Sequence, residues 1–220
     1  MHLKKPRTGE FNYYGFKVII SHPLPDDIDI EDSLRTVARS VPSTYYQNLD
    51  CIYVGDFSFL ESRKLTAMYK DGTFYVSNKQ DDVDDLADDL VHETAHLVEE
   101  DYGRMLYADG KIEREFLQKR KQLYHLIESQ KEGESINYSD FLNPDYTVSF
   151  DNYLYNILGY DHLALYTVNL FYSPYAVTSL REYFANGFEA FYYYRELEKL
   201  KNLSPALFSK LVLLEEEIAN

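Results

Sequence analysis

The chain of 220 residues has no tryptophan, a single cysteine, and only 22 Lys and Arg against 37 Asp and Glu. One cysteine excludes an internal disulfide, so the fold must rest on packing; Cys51, in an apolar strand-like run, reads as a small buried hydrophobe. The shortage of cations leaves a net charge of −15. That charge argues against nucleic acid or an anionic membrane as partner, because phosphate contacts need clustered Lys and Arg. The longest basic cluster, Lys119, Arg120 and Lys121, falls on an expected helix with acids nearby and reads as a solvated face. No apolar run reaches bilayer length, and the basic amino terminus MHLKKPR is not followed by one of signal-peptide length. A soluble, cytoplasmic location is therefore expected.

Aromatic residues are plentiful, with 22 Tyr and 13 Phe, so an aromatic core with many hydroxyls near its surface is expected. The chemistry concentrates between Asp81 and Tyr102, DDVDDLADDLVHETAHLVEEDY, which reads as one helix carrying His92, Glu93 and His96. This is the H-E-x-x-H pattern of zinc hydrolases. Positions i and i+4 lie one above the other on a helix, so both imidazoles can reach one metal ion while Glu93 reaches a water beside it. Val83, Leu86, Leu90, Val91, Thr94, Ala95 and Val98 mark a buried stripe beside them. The acidic run before them reads as a solvated first turn favoured by the helix dipole. Asp89, three residues before His92, is the acid placed to orient that imidazole.

Upstream, FKVIIS, CIYVGDF, LTAMYK and TFYVS read as four strands, with a helix over IEDSLRTVARSV after the first, and Asp71-Gly72 joins the last two as a hairpin. By fold analogy this order matches the amino-terminal half of a zincin, with the fourth strand as the sheet edge above a cleft where an extended peptide could add. The expected fold is α+β and zincin-like: a small twisted mixed sheet with an edge strand over the H-E-x-x-H helix, followed by a mainly helical carboxy-terminal half. One domain over 1–220 is expected, with sheet and zinc helix to 103, a helical insert over 104–172, and closing helices over 173–220. Within the insert a polar loop is expected from Gly133 to Asp145, and Gly159 should separate two helices.

A catalytic zinc takes three protein ligands and keeps a position for water, so one ligand must come from elsewhere. The metzincin continuation is absent, since Glu99 and Tyr102 stand where Gly and His would be needed. Glu99 and Glu100 are too close on the same helix, whereas His125 and His162 remain possible. The pair HETAH and REYFANGFEAF resembles the anthrax lethal factor-type peptidases, gluzincins that include the Pro-Pro endopeptidases. That resemblance implies Glu182 as third ligand and Tyr175, seven residues earlier, as the hydroxyl near the scissile carbonyl. It covers the zinc helix and roughly residues 173–191. Asn186 departs from the family's second glutamate, and the segment between His96 and Glu182 is longer than the family's. SPYAVTSLREYFANGFE also resembles unassigned bacteriophage proteins.

The expectation is a Zn2+-dependent endopeptidase acting on a peptide or protein substrate, with His92, His96 and Glu182 on the metal and Glu93 and Tyr175 in catalysis. The alternatives are a zinc hydrolase of a non-peptide amide and a non-catalytic zinc-binding or structural protein. An intact Glu93 speaks against the last, since a structural site needs no base.

Overall fold

A computed structural model describes residues 8–130 and 137–218; the amino-terminal MHLKKPR and Gly133, where the polar loop is expected to start, fall outside them. Residue contacts divide the chain into two compact units, Met1–Asp101 and Tyr102–Asn220. The architecture is α+β.

The first unit holds a five-stranded mixed sheet. β1 (Gly9–Tyr13) and β2 (Phe16–Ile20) form an antiparallel hairpin; α1 (Ile30–Ser40) leads to β3 (Cys51–Gly55), which pairs parallel with β2. The short helix α2 (Ser58–Arg63) precedes β4 (Ala67–Lys70) and β5 (Thr73–Ser77), an antiparallel hairpin whose β5 pairs parallel with β3. The sheet order is therefore β1-β2-β3-β5-β4.

This corrects the expected edge. TFYVS, expected as the edge strand, is the interior strand β5, and the edge on that side is AMYK, β4. Burial explains the order, since Phe74 and Val76 of β5 are fully enclosed while β4 is mostly half-exposed. β1 is not anticipated by the sequence pattern. Its turn, Tyr14-Gly15, has positive φ at both residues (43° and 99°), as does Asp71-Gly72 (48° and 75°), which is what a two-residue type I′ turn requires.

Alternation along the strands puts Val18, Ile52, Val54, Phe74 and Val76 on one buried face. Ile52 and Phe74 share an apolar pocket with Leu34 and Val37 of α1 and with Leu90 of α3 (Val83–Tyr107), so both helices lie against that face. Each such side chain contributes about 1.5 to 3 kcal/mol by leaving water. Cys51 points to the other face and is half-buried rather than enclosed.

α3 starts where Asp82 accepts hydrogen bonds from the Asp84 and Asp85 N–H groups at 2.8 and 2.9 Å, a side-chain cap on the orphan donors of the first turn. It runs through Gly103 to Tyr107, five residues past its expected end, and the chain then turns at Gly110 (φ 64°), whose carbonyl accepts the Arg114 N–H at the start of the next helix.

The second unit is helical among its described residues. α4 (Lys111–Gln130), α5 (Tyr138–Phe141) and α6 (Val148–Asn152) are followed by a π turn over Tyr153–Gly159, α7 (Tyr160–Thr167), a 3-10 turn at Tyr175–Val177, α8 (Leu180–Tyr192), α9 (Leu197–Leu203) and α10 (Pro205–Ile218). Gly159 (φ 87°) separates the two expected helices, and Pro205 opens α10 as its first residue. Gly187 allows α8 and α10 to cross closely, since a Cβ there would stand 2.2 Å from Leu207 Cδ2.

The basic cluster of α4 is not a solvated face. Arg120 is fully buried: its guanidinium lies 4.0 Å from the Phe150 ring centroid and donates to the carbonyls of Asn143, at 2.6 Å, and Asp140. Lys119 is buried too, and its Nζ donates to the Leu170 and Leu203 carbonyls, both at 2.6 Å. Of the three, only Lys121 faces water. Helical periodicity signals charge and position, but not carbonyls brought in from distant chain ends.

Candidate metal centre

His92 and His96 sit one turn apart on α3 with ring centroids 5.0 Å apart and planes at 82°. His96 is buried and His92 half-buried, because the apolar stripe of Leu90, Val91, Ala95 and Val98 seats this part of the helix in the core. Glu99 Oε2 stands 3.6 Å from His96 Nδ1, one turn further on.

Glu93 is 5% exposed, and its Oε2 accepts the backbone N–H of Tyr69 on β4. Two more bonds join the same strand region to the same helix. Tyr69 Oη donates to Glu100 Oε2 at 2.7 Å, and Thr66 Oγ1 donates to Asp89 Oδ1 at 2.9 Å. Gln80 Nε2 donates to the other Asp89 oxygen at 3.1 Å. Burial pushes the Asp89 carboxyl up to about 6; the Thr66 and Gln80 donors pull the other way, the Glu93 charge adds to the rise, and His92 opposes it. Asp89 thus lies in the field of His92 while its oxygens are held by groups near the strand.

Glu182 occupies the first turn of α8, where its N–H is capped by Ser179 Oγ at 3.2 Å. Further along α8, the Phe184 ring is edge-on to Tyr107 at 6.4 Å. One ligand-capable atom from each of His92, His96 and Glu182 lies within 4.8 Å of the other two, the group of three so placed among the described residues.

The other candidates for the third position lie elsewhere. His125 is exposed on α4, 3.6 Å from Glu128, and His162 is exposed on α7 with Nδ1 3.1 Å from the Leu158 carbonyl. Tyr175 opens the 3-10 turn before α8 and is half-buried. That turn is tied to α8 by Ser173 Oγ, which donates to Asn186 Oδ1. Asn186 therefore steadies the segment that carries Tyr175.

Sequence reasoning missed Tyr69, Thr66 and Gln80 as neighbours of the H-E-x-x-H helix. A signal was present. A two-residue turn at Asp71-Gly72 makes Lys70 and Thr73 a hydrogen-bonded pair, so residues 67 and 69 fall in the row whose backbone groups face away from β5.

In comparisons with known proteins, no protein-family model, no curated protein and no solved structure matches the chain.

Proposed function

We propose that the protein is a zinc-dependent endopeptidase of gluzincin type, with His92, His96 and Glu182 as metal ligands. The observation that carries this reading is the gathering of two imidazoles and one carboxylate within 4.8 Å, with a buried glutamate next to the first histidine in sequence. The donor set suits zinc, which takes nitrogen and oxygen ligands at about 2.0 to 2.2 Å in a tetrahedron and so wants ligand atoms about 3.4 Å apart.

A zinc ion held there would acidify a water molecule and polarise the scissile carbonyl. Glu93 takes the proton of the attacking water and passes it to the leaving amine. Tyr175 donates a hydrogen bond to the developing oxyanion, as the lethal factor resemblance implies. The enclosure of Glu93 and His96 limits competing water. Apart from the Tyr69 N–H, which Glu93 occupies, the sheet edge β4 directs the Ala67 backbone groups and the Tyr69 carbonyl outward, which favours an extended peptide as substrate over a compact amide.

Metal analysis of the purified protein tests the site. About one zinc per chain is expected, lost on chelation and absent in His92→Ala, His96→Ala and Glu182→Ala. Full occupancy in the histidine variants would overturn the assignment. Digestion of a peptide library by the zinc-loaded protein then separates peptide from non-peptide amides.

A further inference from the structure

We infer that the backbone of Tyr69 is a positioning group for Glu93, holding one carboxylate oxygen so that the other is presented to the reaction. The inference rests on the reading of Glu93 as general base. It starts from the register of the β4 and β5 hairpin: Lys70 faces Thr73 and Tyr69 faces Phe74, so the Tyr69 N–H and C=O project from the sheet edge rather than into the ladder. Ser77 N–H, which donates to the Thr66 carbonyl at 2.7 Å, keeps the same alternation at the other end of the strand.

An outward N–H on an edge strand ordinarily meets water or another strand. Here it meets Glu93 Oε2, on a side chain with 5% exposure. A carboxylate so enclosed needs a donor on at least one oxygen, and within the first unit the edge strand provides it. Asp89, Glu93 and Glu100 are spaced by four and seven residues, which at 100° per residue brings them within about 40° of one another around α3. All three take bonds from residues 66–80. The edge strand is thus fastened along one face of the helix, with the base at its middle fastening, and strand position and carboxylate orientation are set together.

Two measurements test this. Amide exchange at Tyr69 in the full chain reads the contact without reference to activity: Glu93→Ala should speed exchange at least tenfold, whereas Glu93→Gln, which keeps an acceptor oxygen, should hold it within about threefold of wild type. Unchanged exchange in Glu93→Ala would overturn the inference. For the second, Tyr69→Pro and Tyr69→Ala both lose the ring, but only proline loses the N–H, and an outward row on an edge strand tolerates it. At equal zinc content, kcat should be at least tenfold lower in the proline variant than in the alanine variant, with KM within twofold. Equal kcat values, or a difference confined to KM, would overturn the positioning role. If the wild type binds no zinc and cleaves no peptide, the functional reading fails, yet the exchange measurement still decides whether Tyr69 holds Glu93.

Discussion

The two units differ in the buried cations that only the second holds among the described residues. In the unit Met1–Asp101 the buried acid is Glu93, one of whose oxygens accepts the Tyr69 N–H of the sheet edge. The unit Tyr102–Asn220 buries the carboxylate of Glu189 and also three cations, Lys119, Arg120 and Lys210, each donating to backbone carbonyls: Leu170 and Leu203, Asn143 and Asp140, and Met105. Backbone carbonyls cannot take up a proton, so such a cation acts as a staple while it stays charged. A carboxylate held by one donor keeps a second oxygen available and can exchange a proton with a ligand. On the proposed function the first arrangement serves chemistry and the second the fold, and perturbing each should show in a different measurement.

The sharpest break of the comparison comes from the two most enclosed charges. Glu93→Gln is expected to lower hydrolysis by about 10² to 10⁴, the range for losing a general base, with zinc content and unfolding midpoint preserved. Arg120→Leu should do the reverse. It strands the Asn143 and Asp140 carbonyls at about 1 to 3 kcal/mol each, partly offset by relief of a desolvated cation, for a net loss of about 2 to 4 kcal/mol in a denaturant titration. A large stability loss in the glutamine variant would erase the distinction.

Residues that follow local rules are legible in the sequence alone. The H-E-x-x-H helix, the Asp71-Gly72 hairpin, the break at Gly159 and the start of α10 at Pro205 each follow from a spacing or a backbone preference within a few residues. What stays hidden depends on distant partners. A hairpin says that β4 and β5 pair but not which of them lies outside, and that is decided by the pairing of β5 with β3. The β1 turn puts a tyrosine in the left-handed region, a position usually signalled by Asn or Asp. Burial of Lys119 depends on carbonyls 51 and 84 residues away in sequence. Glu182 could be singled out only through the family resemblance, because nothing in its local sequence marks it as a ligand.

Lys119 gives a smaller, pH-resolved test of the staple. Burial pushes its ammonium down to about 8 from 10.5, with Glu115 opposing. The folded state therefore releases the proton first, and the unfolded chain holds more protons between about pH 8 and 10.5. Stability must rise with pH across that window and carry a constant cost below it. At 1.36 kcal/mol per pH unit the rise is at most about 3 kcal/mol. Relative to wild type, Lys119→Met should lack this rise in urea titrations from pH 7.5 to 10.5. A slope common to both proteins would mean that the lysine is hydrated after all.

The smallest effect compares the caps of the two helices that bear the proposed ligands. Asp82 caps α3 through the Asp84 and Asp85 N–H groups, and Ser179 caps α8 through the N–H of Glu182. Replacing either by alanine should cost about 1 kcal/mol of stability, because each change leaves helix-end donors without their side-chain acceptor. Their effects on metal binding should differ. Asp82 lies ten residues before His92, nearly three helical turns away on a helix held by a continuous buried stripe, so fraying of its first turn stops short of the histidines. Ser179 caps the turn that contains Glu182, so loss of that bond loosens the carboxylate's own backbone. Zinc affinity, measured by competition with a chromophoric chelator, should fall severalfold in Ser179→Ala and stay within twofold of wild type in Asp82→Ala. Equal affinities in the two variants would remove Glu182 from the metal.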